Sequence, residues 1–197
     1  MLEIYNEETE AGSDLVHIKQ DVFKRHTQLI VIAWVTFMAG TLYADVIRNG
    51  TIGPDASIQP TGPDFLIHEQ LGELKGTNLF HSFEEFSLNQ NQSATFTGTS
   101  TIYNITGRIT GGNVSTIDGI LRSEIPGADL FLMNPHGVIF GKNVLLNVPE
   151  AFHASTGDEL VFTGGDIFRA MPDGNVPILS TATSERFGSM QYRGKHP

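Results

Sequence analysis

Seven histidines are the residues most able to do chemistry: His17, His26, His68, His81, His136, His153 and His196. None stands two or four positions from another, so no pair can aim one metal ion from a single strand or helix face. The chain has no cysteine, which removes thiolate catalysis, a disulfide framework, Cys-ligated zinc and iron–sulfur clusters. His68-Glu69 begins a zinc-protease pattern, but Gly72 stands where the second histidine is required. Residues 137–143, GVIFGKN, look faintly like a phosphate loop. Only three residues separate the two glycines, and Asn143 follows the lysine where Ser or Thr would hold magnesium. No Gly-x-Ser-x-Gly nucleophile elbow occurs. The motifs therefore predict no cofactor, no metal and no catalytic residue.

Carboxylates are the remaining reactive groups. Glu84, Glu85, Asp118 and Asp129 could serve glycoside hydrolysis, and Arg108 and Arg122 could grip a uronate carboxylate. A β-helical polysaccharide-acting enzyme is thus one alternative. The plainer roles are a solvated face for Glu84-Glu85 and local backbone bonding for Asp118 and Asp129 at strand–loop junctions. His81 and His153, beside Phe80 and Phe152, read as packing or turn residues.

The elements that must position these groups are β-type. Hydrophobic residues make up 40% of the 197 residues and charged residues 17%, below the usual ~25%, with Thr, Ser, Asn and Gly in their place. That bias favours strands over helices. The net charge is −10, from 22 acidic and 12 basic residues. Nucleic acid is excluded as a partner, because phosphate binding needs clustered Lys and Arg. Adsorption to anionic membranes is disfavoured for the same reason.

Residues 1–28 form a polar, acidic extension. Residues 29–44 follow a basic flank at Lys24 and Arg25, with an apolar run broken only by Thr36 up to Gly40, and a small residue, Ala44, at the exit. This pattern predicts a secretory leader cut between Ala44 and Asp45. A retained membrane anchor is the alternative, although a spanning helix wants ~20 apolar residues. No stable membrane insertion is expected of the mature chain. Residues 45–192 form the working domain, and 193–197 a short tail.

Within that domain one helical turn is expected over residues 80–86, where Phe80, Phe83 and Phe86 recur at i, i+3, i+6. Elsewhere short β runs dominate: residues 65–68, 95–97, 101–105, 108–110, 115–120, 130–133, 138–140, 144–146, 151–155, 160–163 and 178–182. Gly, Asn, Asp or Pro separates most of them. The gaps are too short for crossover helices, which excludes a βαβ fold. An all-β sandwich, barrel or solenoid remains. Recurrent Asn, after Tyr103, Gly112, Met133 and Leu146 at Asn104, Asn113, Asn134 and Asn147, and after Gly141-Lys142 at Asn143, favours the solenoid. Asn tolerates left-handed turns and can stack in ladders between coils. No exact repeat period is visible.

Four ordered segments carry a family resemblance: GTNLFHSFEEFSL at 76–88, GRITGGNVSTIDGIL at 107–121, ADLFLMNPHGVIFG at 128–141 and AFHAST at 151–156. Together they resemble the N-terminal secretion domain of the filamentous haemagglutinin family, exoproteins of two-partner secretion systems. The domain is also called the haemagglutination activity domain. The resemblance runs from about Asp45 to Tyr192. It implies a single-stranded right-handed parallel β-helix with extra β-elements capping its N-terminal end. It also implies a binding module rather than an enzyme, recognised by an outer-membrane partner transporter through periplasmic domains. The exported adhesin-like protein would then fold outside the cell, where a host or cell-surface receptor is a further potential partner. Asn134-Pro135-His136-Gly137-Val138 aligns with the family's Asn-Pro-Asn-Gly-Ile motif, so His136 replaces Asn and Val138 replaces Ile. Pro135 and Gly137 suit a tight turn between coils. Asn78, Phe80, Phe83 and Phe86 are candidates for a cap or a docking surface. Family members continue far beyond this domain, whereas residues 188–197, GSMQYRGKHP, show no repeat and no effector motif.

Overall fold

Alternation of apolar and polar residues builds the strands, and their shortness bends the chain into coils. The computed structural model describes residues 45–188. Its strands run in the order β1 (Val46–Arg48), β2 (Asp64–His68), β3 (Glu73–Lys75), β4 (Asn78–Phe86), β5 (Ser93–Thr97), β6 (Asn104–Ile109), β7 (Ser115–Ile117), β8 (Ile120–Ser123), β9 (Asp129–Met133), β10 (Val138–Phe140), β11 (Leu145–Asn147), β12 (Phe152–Ser155), β13 (Glu159–Phe162), β14 (Ile167–Arg169) and β15 (Ser184–Gly188).

These strands form a parallel β-helix. One face stacks β4, β6, β9 and β12, a second stacks β2, β5, β8 and β11, and a third pairs β7 with β10. Every strand pair between successive coils is parallel. Like residues lie on like inside the coils: Leu79, Ile105, Leu130 and Phe152 follow one another in register. The coils differ in length. Stacked partners are 29 positions apart at Asp64 and Ser93, 26 at Asn78 and Asn104, and 22 at Asp129 and Ala151. That drift is why no period shows in the sequence.

β1 and β3 lie antiparallel on the outer edge of β4 and close the N-terminal end. A second core lies outside the helix. Phe80, Phe131 and Met133 point outward from β4 and β9 and pack against Leu160, Phe162 and Phe168 of the antiparallel β13–β15 sheet. The central sheet is therefore buried on both sides, and β6 has no exposed residue from end to end.

Residues 80–86 are strand, not a helical turn. The i, i+3 spacing has a different cause, a β-bulge. Ile47 pairs with Glu85 and Arg48 with Phe83, so Glu84 is the extra residue. The insertion shifts side-chain parity, and Phe83 and Phe86 both point inward with ring centroids 5.0 Å apart. Phe80 points to the opposite face. Four further expectations change. Residues 104–105 and 108–109 belong to one strand, β6, and residues 101–103 and 110 lie outside it. The run at 115–120 breaks at Asp118-Gly119, the corner between β7 and β8. Residues 178–182 are not strand; that role falls to β15. Among the described residues only glycines take positive φ, so the asparagines act through their amides and not through left-handed backbone.

Candidate functional site

Asparagines predicted to punctuate the coils, Asn104 and Asn134 among them, make hydrogen bonds from coil to coil. Asn134 ends β9, and the Gly137 N–H donates to its carbonyl at 3.0 Å, closing a turn with Pro135 at the second position. Glycine fits the fourth position, where φ is +126°. The Asn134 side chain then reaches outside its own turn. Its Oδ1 accepts the His136 N–H at 2.9 Å, and its Nδ2 donates to the Asn113 carbonyl at 3.0 Å and to Ser115 Oγ at 2.9 Å. Its own N–H donates to the Ser155 carbonyl at 2.9 Å. Asn134 is fully buried, so one residue stitches three successive coils. His136 contributes its backbone N–H to this network, while its side chain is exposed. Histidine at position 136 is thereby accommodated without disturbing the turn.

Asn78 performs the same task at the first coil. Its Nδ2 donates to the carbonyls of Ser180 at 2.9 Å and Ala182 at 2.6 Å, and its Oδ1 accepts from Asn104 Nδ2 at 2.8 Å. Asn104 in turn lies in register with Asp129, whose Oδ1 accepts the Ala151 N–H at 3.0 Å. A polar ladder thus runs up one corner of the helix. It holds residues 180–182, about a hundred positions away in sequence, against the first coil. Phe83 and Phe86 lie in the coil interior and Phe80 in the outer core, all three fully buried. Asp45 anchors the first described residue through its carbonyl, which accepts the Ser87 N–H at 2.9 Å. Ala44 and the apolar run before it lie outside the described residues, as do residues 193–197.

Two buried arginines were not legible as structural residues. Arg48 places both terminal nitrogens on backbone carbonyls: Nη1 on Asp55 and Ile58, Nη2 on Ile52 and Pro54, at 2.6–3.3 Å. Burial lowers its pKa, and Asp55 partly offsets that. Arg108 donates to Ser82 Oγ, the Arg169 carbonyl and Thr51 Oγ1, and lies 5.1 Å from the Phe168 ring centroid. Burial pushes it down to about 10, against the attraction of Asp173. The carbonyl-rich loop that cages Arg48 has no motif that would announce it.

The carboxylates do not converge. Asp118 holds the β10–β11 corner, accepting the Asn143 N–H at 2.9 Å and Nδ2 at 3.0 Å. Those hydrogen bonds lower its pKa. Glu85 accepts from Asn113 Nδ2 at 2.6 Å, Glu84 is the exposed bulge residue, and Asp129 stands on the polar ladder. Arg108 borders a cleft of about 260 Å³, yet its nitrogens are committed to internal acceptors, and Asp173 across the cleft pairs with Arg169 at 3.5 Å. Among the described residues no three His, Asp or Glu side chains are grouped to hold a metal ion.

The arrangement is thus one of polar stitches that register coils, with buried aromatic residues between them. No curated protein and no solved structure matches the chain. The sequence model of the TPS (two-partner secretion) secretion domain matches residues 44–195, which includes every described residue. Domains of this family are translocation modules and not catalysts, so the polysaccharide-acting alternative falls away. The chain, with its capped parallel β-helix and its coil-stitching asparagines, belongs to the TPS secretion domain family.

Proposed function

We propose that residues 45–192 are the address of an exported, adhesin-like protein, read in the periplasm by the soluble domains of an outer-membrane partner transporter. Residues 1–44 act as its leader, cut between Ala44 and Asp45. The chain then threads the transporter and folds at the cell surface. The observation that carries this reading is the family match across 44–195.

Physical features support it. A chain that must thread a narrow barrel has to stay extended, and this one has no cysteine to cross-link it. In a solenoid each coil needs only its neighbour, so folding can advance as the chain emerges. The N-terminal cap on β4 provides the first template. Residues 180–182 bond Asn78, and β13–β15 cover the outer aromatic face. That outer layer closes only after the last segment has passed, which favours completion outside the cell.

The test is co-expression with a partner transporter, with blotting of periplasm and medium and N-terminal sequencing. Transporter-dependent appearance in the medium, with a mature start at Asp45, is the expected result. Retention of an uncut leader with the protein held in the membrane would overturn the reading in favour of an anchor.

A further inference from the structure

The two buried arginines are satisfied differently. Each terminal nitrogen of Arg48 bonds two backbone carbonyls. Each nitrogen of Arg108 bonds one acceptor: Nε meets Ser82 Oγ, Nη1 the Arg169 carbonyl and Nη2 Thr51 Oγ1. A guanidinium carries five N–H groups, so each terminal nitrogen of Arg108 keeps one N–H with no acceptor among the described residues. Its three acceptors are uncharged, as is the Phe168 ring beside it. Arg108 is 2% exposed, yet it forms no ion pair with a carboxylate of the described residues. Buried charges are ordinarily paired. Asp173 attracts Arg108 only at longer range and pairs with Arg169 instead.

This incompletely satisfied cation borders the cleft of about 260 Å³ formed with the loop between β14 and β15. The loop contributes Met171, Val176 and Ile178 to the walls. Val176 is 88% exposed and Ile178 57%, an unusual display of aliphatic surface around a buried charge. A cation at the base of aliphatic walls selects an anionic group carried on an apolar body. A carboxylate has two oxygens for the two unfilled N–H groups. No aromatic residue lines the cleft, so a uronate finds no ring face on which to stack. The cleft has room for about one side chain and its neighbour, less than a drug-sized ligand fills. A free small acid would leave Val176 and Ile178 in water, whereas a protein surface that delivers the carboxylate also covers them.

We propose that this cleft docks a segment of a partner protein in which a carboxylate adjoins an aliphatic side chain. The carboxylate takes the two unfilled N–H groups of Arg108, and the aliphatic group packs on Val176 and Ile178. The site belongs to the folded domain, and its test needs no transporter, so it stands or falls apart from the export reading.

NMR titration of the isotope-labelled, purified chain with the peptide acetyl-Leu-Glu-Leu-amide tests this, with its Gln counterpart and butyrate as comparisons. Saturable shifts over residues 167–178 and at the Arg108 side-chain N–H are expected, with a dissociation constant of about 1 mM for so short a ligand. The Gln peptide binds about tenfold more weakly, because it loses the charge-assisted bonds. No saturable shift up to about 20 mM peptide, or equal binding of the Gln peptide, overturns the proposal. Butyrate binding as tightly as the Glu peptide also overturns it, since the site then serves a free small acid. Val176→Ser weakens the Glu peptide about fivefold by removing aliphatic contact. Asp173→Asn keeps the oxygen that accepts the Asn175 N–H and removes a carboxylate that competes for the same cations, so it strengthens binding about threefold. Both residues are exposed, and an unchanged amide spectrum outside the loop shows that the fold survives. Variants without effect, or weaker binding by Asp173→Asn, place the peptide elsewhere and refute the site.

Discussion

Replacing Asn134 by alanine isolates the coil-stitching role of the turn. The substitution deletes three side-chain hydrogen bonds, to the His136 N–H, the Asn113 carbonyl and Ser115 Oγ. Ser115 is itself buried, and the small side chain leaves water little access to replace the amide. Each buried polar group left without a partner costs about 1–3 kcal/mol, and partial relaxation of an interlinked network lowers the sum. The expected loss is about 3 kcal/mol of unfolding free energy, measured by urea denaturation of the secreted domain. Asn134→Asp is the sharper companion. It keeps the acceptor for His136 but turns a donor into an anionic oxygen facing the Asn113 carbonyl, so it costs at least as much at neutral pH and recovers part of the loss on acidification. His136→Ala is the control, since that side chain is exposed, and it stays within about 0.5 kcal/mol. If Asn134→Ala unfolds at the same urea concentration as the parent while export fails, the turn acts by docking and the stitching argument is wrong. If stability and export fall together, the turn acts through folding.

Three other perturbations follow from the packing. His81 is fully buried against Phe83 and Phe96, with ring centroids 6.0 and 5.5 Å away, and neither ring nitrogen completes a hydrogen bond among the described residues. Burial, with Arg48 as a second cause, lowers its pKa to about 3 against a slight opposing effect of the Leu71 backbone. The folded state therefore binds fewer protons than the unfolded chain. Stability from this group is intact above pH 6.5 and falls by about 1.4 kcal/mol per pH unit from there toward pH 3; His81→Leu flattens that slope in urea titrations between pH 7 and 5. Arg48→Lys keeps the charge but loses the fork that spans four carbonyls; it costs about 2 kcal/mol and speeds amide exchange across residues 49–59 without altering β6 or β9. Phe80→Ala removes the ring that packs 5.1 Å from Phe168 and 5.9 Å from Phe162. It costs about 3–5 kcal/mol and exposes β13–β15 to proteolysis before the coils.

The sequence alone determined that the fold is all-β and, through the resemblance, that it is a β-helix. Short alternating runs at 65–68, 130–133 and 138–140 reappear as strands, because a two-residue period with β-branched and aromatic side chains is local information. The turn at 134–137 was legible because an Asn-Pro-x-Gly turn is set by its own backbone requirements, whereas the reach of Asn134 to Asn113 and Ser115 was not. Four ordered segments were enough to bring out the family. The tertiary structure decided what depends on partners distant in the chain. The bulge at Glu84 imitates a helical period, and only pairing with β1 shows which way Phe83 and Phe86 face. Arg108 reads from sequence as a uronate-binding cation and Arg48 carries no signal at all; only the folded chain places the Phe168 ring beside the one and the carbonyls of residues 52–58 around the other. The reach from Asn78 to Ala182 spans 104 positions, a contact that no local pattern encodes. The burial of equivalent inward residues is also a tertiary fact. Leu146 and Leu121 are both inward leucines, and their burial differs only because one has a coil stacked above it and the other, among the described residues, does not.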